Sequence, residues 1–171
     1  MEDLRSFFTR RLKGINKLAI LGVGSVLRAD DGAGITIVEN LSAAFSQRDH
    51  SNLLICAGET APENFSGTIR EFGPAHLLII DAADIRRKPG DIVEIDPEDV
   101  GGPTFCSHML PLRVLINYLI GETGTAVTLL GIQHKNTEFD TDMSPEVRDA
   151  AHDISIALGS VIEELLLQPI G

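Results

Sequence analysis

Several things are scarce in this chain of 171 residues, and each shortage argues against a class of function. Cysteine occurs twice, as Cys56 and Cys106, with no C-x-x-C spacing. That speaks against a disulfide framework, a zinc knuckle and a thioredoxin-like redox centre. Two buried, inert thiols suit a reducing cytoplasm, which is the expected location. Positive charge is short as well: 14 Lys and Arg face 25 Asp and Glu, a formal net charge of −11. Counterion release needs a basic face, so neither nucleic acid nor an anionic membrane is an expected partner. No run approaches the roughly 18 apolar residues of a membrane span. The N-terminus, with Glu2, Asp3, Arg5, Arg10, Arg11 and Lys13, has no signal-peptide core. Familiar catalytic signatures are missing too. There is no H-E-x-x-H zinc pair, no G-x-S-x-G elbow and no P-loop lysine.

What is present is ordinary in bulk and pointed in detail. With 43% hydrophobic and 23% charged residues, the chain reads as one domain over 1–171. A chain of this length buries roughly 70% of the surface its unfolded form exposes. Leu4, Phe7, Phe8 and Leu12 make a short amphipathic helix within an N-terminal extension, 1–16. Apolar runs at 17–23, 52–56, 77–81 and 127–132 read as strands, and the half-polar run 91–96 fits a sheet edge. Helices are expected over 31–44, from Ser107 to about 120, and from Ser144-Pro145 onward. Thr60 is a candidate cap before Pro62 and Glu63. Strands alternating with helices predict an α/β fold: a three-layer α/β/α sandwich around a mostly parallel twisted sheet of about five strands, with room for one antiparallel edge strand.

The most informative stretch runs from Leu21 to Gly34. An apolar strand enters a loop with Gly22 and Gly24, which delivers Asp30 and Asp31 to the start of a helix. The opening suggests a dinucleotide fingerprint, but Leu27 stands where its third glycine belongs. Two carboxylates at that point repel a pyrophosphate and attract a cation. Ligands of such folds bind beyond the carboxyl ends of the strands. Three metal-capable side chains fall there: Asp31 after the first strand, Asp81 at the end of the central one, and His108 at a helix entry. Two oxygens and an imidazole suit a first-row divalent metal with positions left open. Each residue also has a plain structural role available. Asp30 or Asp31 can cap the next helix, Asp81 can close a turn, and His108 can be a first-turn histidine without a ligand. His134 at a strand end is either a surface residue or near the site, and His50, His76 and His152 have no evident partner.

Gly22-Val23-Gly24-Ser25, Asp30-Asp31-Gly32-Ala33-Gly34, Leu78-Ile79-Ile80-Asp81-Ala82, Ser107-His108 and Leu130-Gly131-Ile132-Gln133 stand in the order seen in the hydrogenase maturation endopeptidases, which this chain resembles over about residues 18–165. Gly58-Glu59-Thr60-Ala61-Pro62-Glu63-Asn64 looks like the branch serving formate-hydrogenlyase-type and energy-converting enzymes. The resemblance implies a cytoplasmic, monomeric protease that acts on the precursor of a [NiFe]-hydrogenase large subunit. It removes a C-terminal extension after nickel insertion. It also implies Asp31, Asp81 and His108 as metal-binding and catalytic residues, with nickel supplied by the substrate and another divalent metal able to stand in for it in isolation. Where much of the family reads Asp-Gly-Gly, this chain has Ala57-Gly58-Glu59, so Glu59 is a candidate replacement for that aspartate. Two other readings compete: a non-catalytic, nickel-sensing assembly chaperone for the large subunit, and a dinucleotide-binding domain.

Overall fold

The computed structural model describes residues 3–48, 51–99 and 109–167. Five strands form one sheet: β1 (Leu18–Val23), β2 (Leu53–Glu59), β3 (His76–Ala83), β4 (Ile92–Ile95) and β5 (Ala126–Gln133). Their order across the sheet is β2-β1-β3-β5-β4, with all pairings parallel except β4 against β5. The half-polar run thus forms the antiparallel edge. The helices are α1 (Leu4–Leu12), α2 (Ala33–Phe45), α3 (Ser66–Phe72), α4 (Met109–Thr123) and α5 (Pro145–Leu165).

Alternation along the strands sorts the interior into two cores. Leu18 and Ile20 of β1, with Leu78 and Ile80 of β3, pack against Phe8 and Leu12 of α1, Ile37 and Leu41 of α2, and Ile154 and Leu158 of α5. Their odd-numbered neighbours, Ala19, Leu21, Leu77 and Ile79, pack against Ile69 of α3 and Leu112, Leu115, Ile116 and Leu119 of α4. A three-layer sandwich results, as predicted from alternating strands and helices. β1 and β3 are buried along their whole length, sealed on both faces, which is why they read as apolar runs rather than alternating ones.

Three local expectations need correction. A single turn of 3₁₀ helix, Ala29–Gly32, separates β1 from α2, and Gly32 occupies the N-cap position of α2 without a side-chain cap. Neither aspartate therefore caps that helix. Thr60 caps nothing either: the short turn Pro62–Phe65 begins after Ala61. β3 continues two residues past Asp81, because Asp81 to Ala83 still pair with Gly131 to Gln133 of β5.

Candidate active site

The order β2-β1-β3 means that the chain leaves β1 toward one edge of the sheet and returns to β3 on the other side. This is a topological switch point, where the carboxyl ends of neighbouring strands open a crevice. Asp31 and Asp81 both lie there. Gly22 pairs with Ile80, so Asp81 sits one residue beyond the last β1–β3 partner, while Asp31 rides on the turn that follows β1.

Glycine makes that approach possible. A Cβ on Gly34 would lie 2.3 Å from the Ile80 carbonyl oxygen, and one on Gly22 would lie 2.3 Å from the Gly34 carbonyl oxygen. Both contacts are impossible, so the first turn of α2 rests directly on β1 and β3 only because these side chains are absent. Gly24, at φ +120°, turns the chain back so tightly that its missing Cβ would meet the Asp31 carbonyl oxygen. Its amide donates to the carbonyl of Glu59, and the next amide, Ser25, donates to Asp31 Oδ2 at 2.8 Å. A dinucleotide would need that loop amide for phosphate, but here Asp31 takes it.

The adjacent aspartates do different work. Asp30 is fully buried and faces away from the crevice, into the loop between β5 and α5. Its Oδ2 accepts from the amides of Lys135 (2.7 Å) and Asn136 (2.9 Å) and from the Ser144 hydroxyl (2.9 Å), and its Oδ1 accepts from the Ser144 amide at 2.6 Å. Ser144 is the N-cap of α5, so Asp30 anchors the start of that helix from across the fold. Burial raises the Asp30 pKa, but the hydrogen bonds outweigh it, and the carboxyl lies below its ordinary value.

Asp81 is 2% exposed and Asp31 is 5% exposed. Burial first, and the charge of Asp31 second, push the Asp81 carboxyl up to about 8, against a smaller opposing effect of the Ala82 amide. Two buried carboxylates thus share the crevice closely enough for the charge of Asp31 to oppose ionisation of Asp81. Asp81 shares its face of β3 with Leu77, Ile79 and Ala83, the face covered by α4. His108 immediately precedes α4 but lies outside the described residues, as do Cys106 and the expected cap Ser107. Among the described residues no group of three metal-capable side chains forms.

Glu59 ends β2 just after a bulge that skips Gly58, and holds a left-handed backbone at φ 50°. Its exposed side chain lines a cleft of about 470 Å³ beside the aspartates, together with Gly24, Ser25, Val26, Leu27, Ile35, Glu39 and Thr60. Of the remaining histidines, His76 does have a partner, with Nε2 2.9 Å from Thr128 Oγ1 inside the sheet. The sequence offered no signal for the Asp30 anchor, because its three partners are more than 100 residues away.

The profile of the hydrogenase maturation protease family matches residues 35–160. The Escherichia coli hydrogenase 3 maturation protease is 36% identical over 136 residues, covering 79% of this chain and 84% of that one. The crystal structure of the [NiFe] hydrogenase maturation protease HycI from Thermococcus kodakarensis superposes with a TM-score of 0.84 at 25% identity, over 92% of this chain and 99% of the other. The solution structure of the endopeptidase HycI from Escherichia coli gives 0.72 at 34% identity, over 84% and 90%. This removes the dinucleotide-binding reading. A family profile spanning α2 through α5, and a relative 36% identical over most of both chains, settle the membership: the chain belongs to the hydrogenase maturation protease family.

Proposed function

We propose that this endopeptidase removes the C-terminal extension from the precursor of a [NiFe]-hydrogenase large subunit once nickel has been inserted. Asp31, Asp81 and His108 bind the nickel that the precursor presents. The observation that carries the reading is the placement of two buried aspartates, Asp31 and Asp81, at the switch point; burial first and the Asp31 charge second push Asp81 up to about 8. A divalent ion held by these carboxylates would offset the repulsion and displace the Asp81 proton. Because the ion comes with the substrate, the site reads whether the precursor is loaded. Such an ion would supply Lewis-acid chemistry, polarising a carbonyl or activating water, while Asp31, Asp81 and His108 would hold it and the crevice would position the scissile bond. The expected setting is the cytoplasm, with the enzyme acting as a monomer on a larger partner.

The deciding measurement is the mass of a cognate large-subunit precursor, with and without nickel, after incubation with this protein. Loss of a C-terminal peptide from the loaded form alone is expected. Cleavage of both forms would remove nickel from the recognition step. An unchanged mass, with binding to the loaded form, would replace the protease reading by that of an assembly chaperone.

A further inference from the structure

Three of the large apolar side chains left exposed among the described residues gather at the site. Val26 is 57% exposed, Leu27 59% and Phe139 67%. Two loops carry them, and the loops are bonded to each other: the Asp140 amide donates to the Leu27 carbonyl, and the Asp30 amide donates to the Asn136 carbonyl. Both loops are also fixed from below. The Ser25 amide, one residue before Val26, is bound to Asp31, and a Cβ on Gly32 would come within 2.8 Å of the Val26 Cα. Asp30 holds the other loop through Lys135, Asn136 and Ser144. These residues are therefore presented on a braced surface rather than left over on a loose one. Exposed Leu and Phe on braced loops beside a crevice are the ordinary make-up of a protein-binding patch.

We propose that Val26, Leu27 and Phe139 are the docking surface for the large-subunit precursor. They take an apolar segment of that protein beside the bond to be cut. The inference rests on the protease reading above, and that reading selects the occupant. A scissile bond reaches Asp31 and Asp81 only if the chain carrying it crosses the rim that Val26 and Leu27 form with the adjoining cleft. The same aspartate turn that supplies the ligand carboxylate thus also positions the recognition surface, so that docking and metal engagement are coupled through one loop.

The test measures binding of a nickel-loaded precursor, its scissile bond replaced by an uncleavable one, to Leu27→Asp and Phe139→Asp, with Asp31, Asp81 and His108 all kept. The same two substitutions in the otherwise unaltered enzyme give KM and kcat for cleavage. Ile156→Asp, at an equally exposed apolar position (59%) on α5, is the control. Each rim substitution is expected to weaken binding by about tenfold or more, as for a central interface residue, and to place its effect on cleavage in KM. The control should bind as its parent does. Rim variants that bind within about twofold of the parent would overturn the docking surface while leaving the protease intact. If the unaltered enzyme cuts nothing, the protease reading fails and the binding series still decides the surface: a precursor that the parent does not bind refutes it. Circular dichroism of each variant, with Leu27→Ser and Phe139→Ala as milder replacements, separates lost docking from lost folding.

Discussion

Asp30 and Asp31 are neighbours in sequence with opposite environments, and their pH signatures differ accordingly. Asp30 lies below its ordinary pKa, so the stability it contributes is present above the unfolded value near 3.9 and is lost as pH falls through the folded one. Asp30→Ala leaves the Lys135, Asn136 and Ser144 donors without their acceptor, and should cost about 3 kcal/mol, a Tm loss of roughly 6–12 °C at neutral pH by calorimetry. Asp81 has the reverse sign. With a folded pKa near 8 it holds a proton that the unfolded chain releases near 4, so its contribution to stability falls as pH rises from 4 to 8 and then levels. Asp81→Asn removes that penalty. It should raise stability above the parent by up to a few kcal/mol at pH 8, with the gap closing toward pH 4, while precursor cleavage is abolished. A variant whose stability tracks the parent across this range would show that Asp81 is not held protonated. The candidate carboxylates were legible because each ends or follows an apolar strand. Their division of labour was not, since which aspartate faces the crevice depends on the hand of one 3₁₀ turn and on partners from Lys135 to Ser144.

At the scale of elements, the glycines of the β1–α2 connection decide whether the site exists. Their motif was visible in the sequence, but the reason for it was not: the need comes from α2 lying on β1 and β3, a contact between distant strands. Gly22→Ala drives a Cβ into the Gly34 carbonyl and the Val38 side chain, and α2 cannot retreat without lifting Asp31 away from Asp81. Urea unfolding should show a loss of at least about 3 kcal/mol, the range of severe overpacking. Gly121, within α4, has open space around it, and Gly121→Ala should stabilise by about 0.5–1 kcal/mol through helix propensity. Equal effects at the two positions would mean that the close contact of α2 with the sheet is not required. Strands and long helices were legible throughout, because burial on both faces or along one stripe writes itself into hydrophobic pattern. The bulge at Gly58 and the uncapped turn after Ala61 were not, because both are set by how β2 meets Gly24, a tertiary hydrogen bond.

For the whole molecule, the sheet divides the interior so that one core carries three helices and the other two, and the N-terminal helix belongs to the larger core. The sequence marked a short amphipathic helix within an N-terminal extension, 1–16. The structure makes it a structural member instead: Phe8 and Leu12 are 0% and 1% exposed and touch the same cluster as Leu158 and Val161 of α5. Arg5 adds an exposed ion pair to Glu164, worth little by itself. Amphipathic pattern reveals which face of α1 is buried but not how much depends on it, since its partners lie some 150 residues later. The aspartate crevice opens at the carboxyl ends of β1 and β3, whereas Leu12 is followed within a few residues by the amino end of β1. Stability and catalysis should therefore separate. Phe8→Ala is expected to cost about 4 kcal/mol, lowering Tm by roughly 10 °C, while cleavage of the precursor at a temperature well below the new midpoint proceeds at the parent rate. A loss of cleavage in a variant still folded at the assay temperature would instead tie α1 to the crevice and make the N-terminal helix part of the machinery.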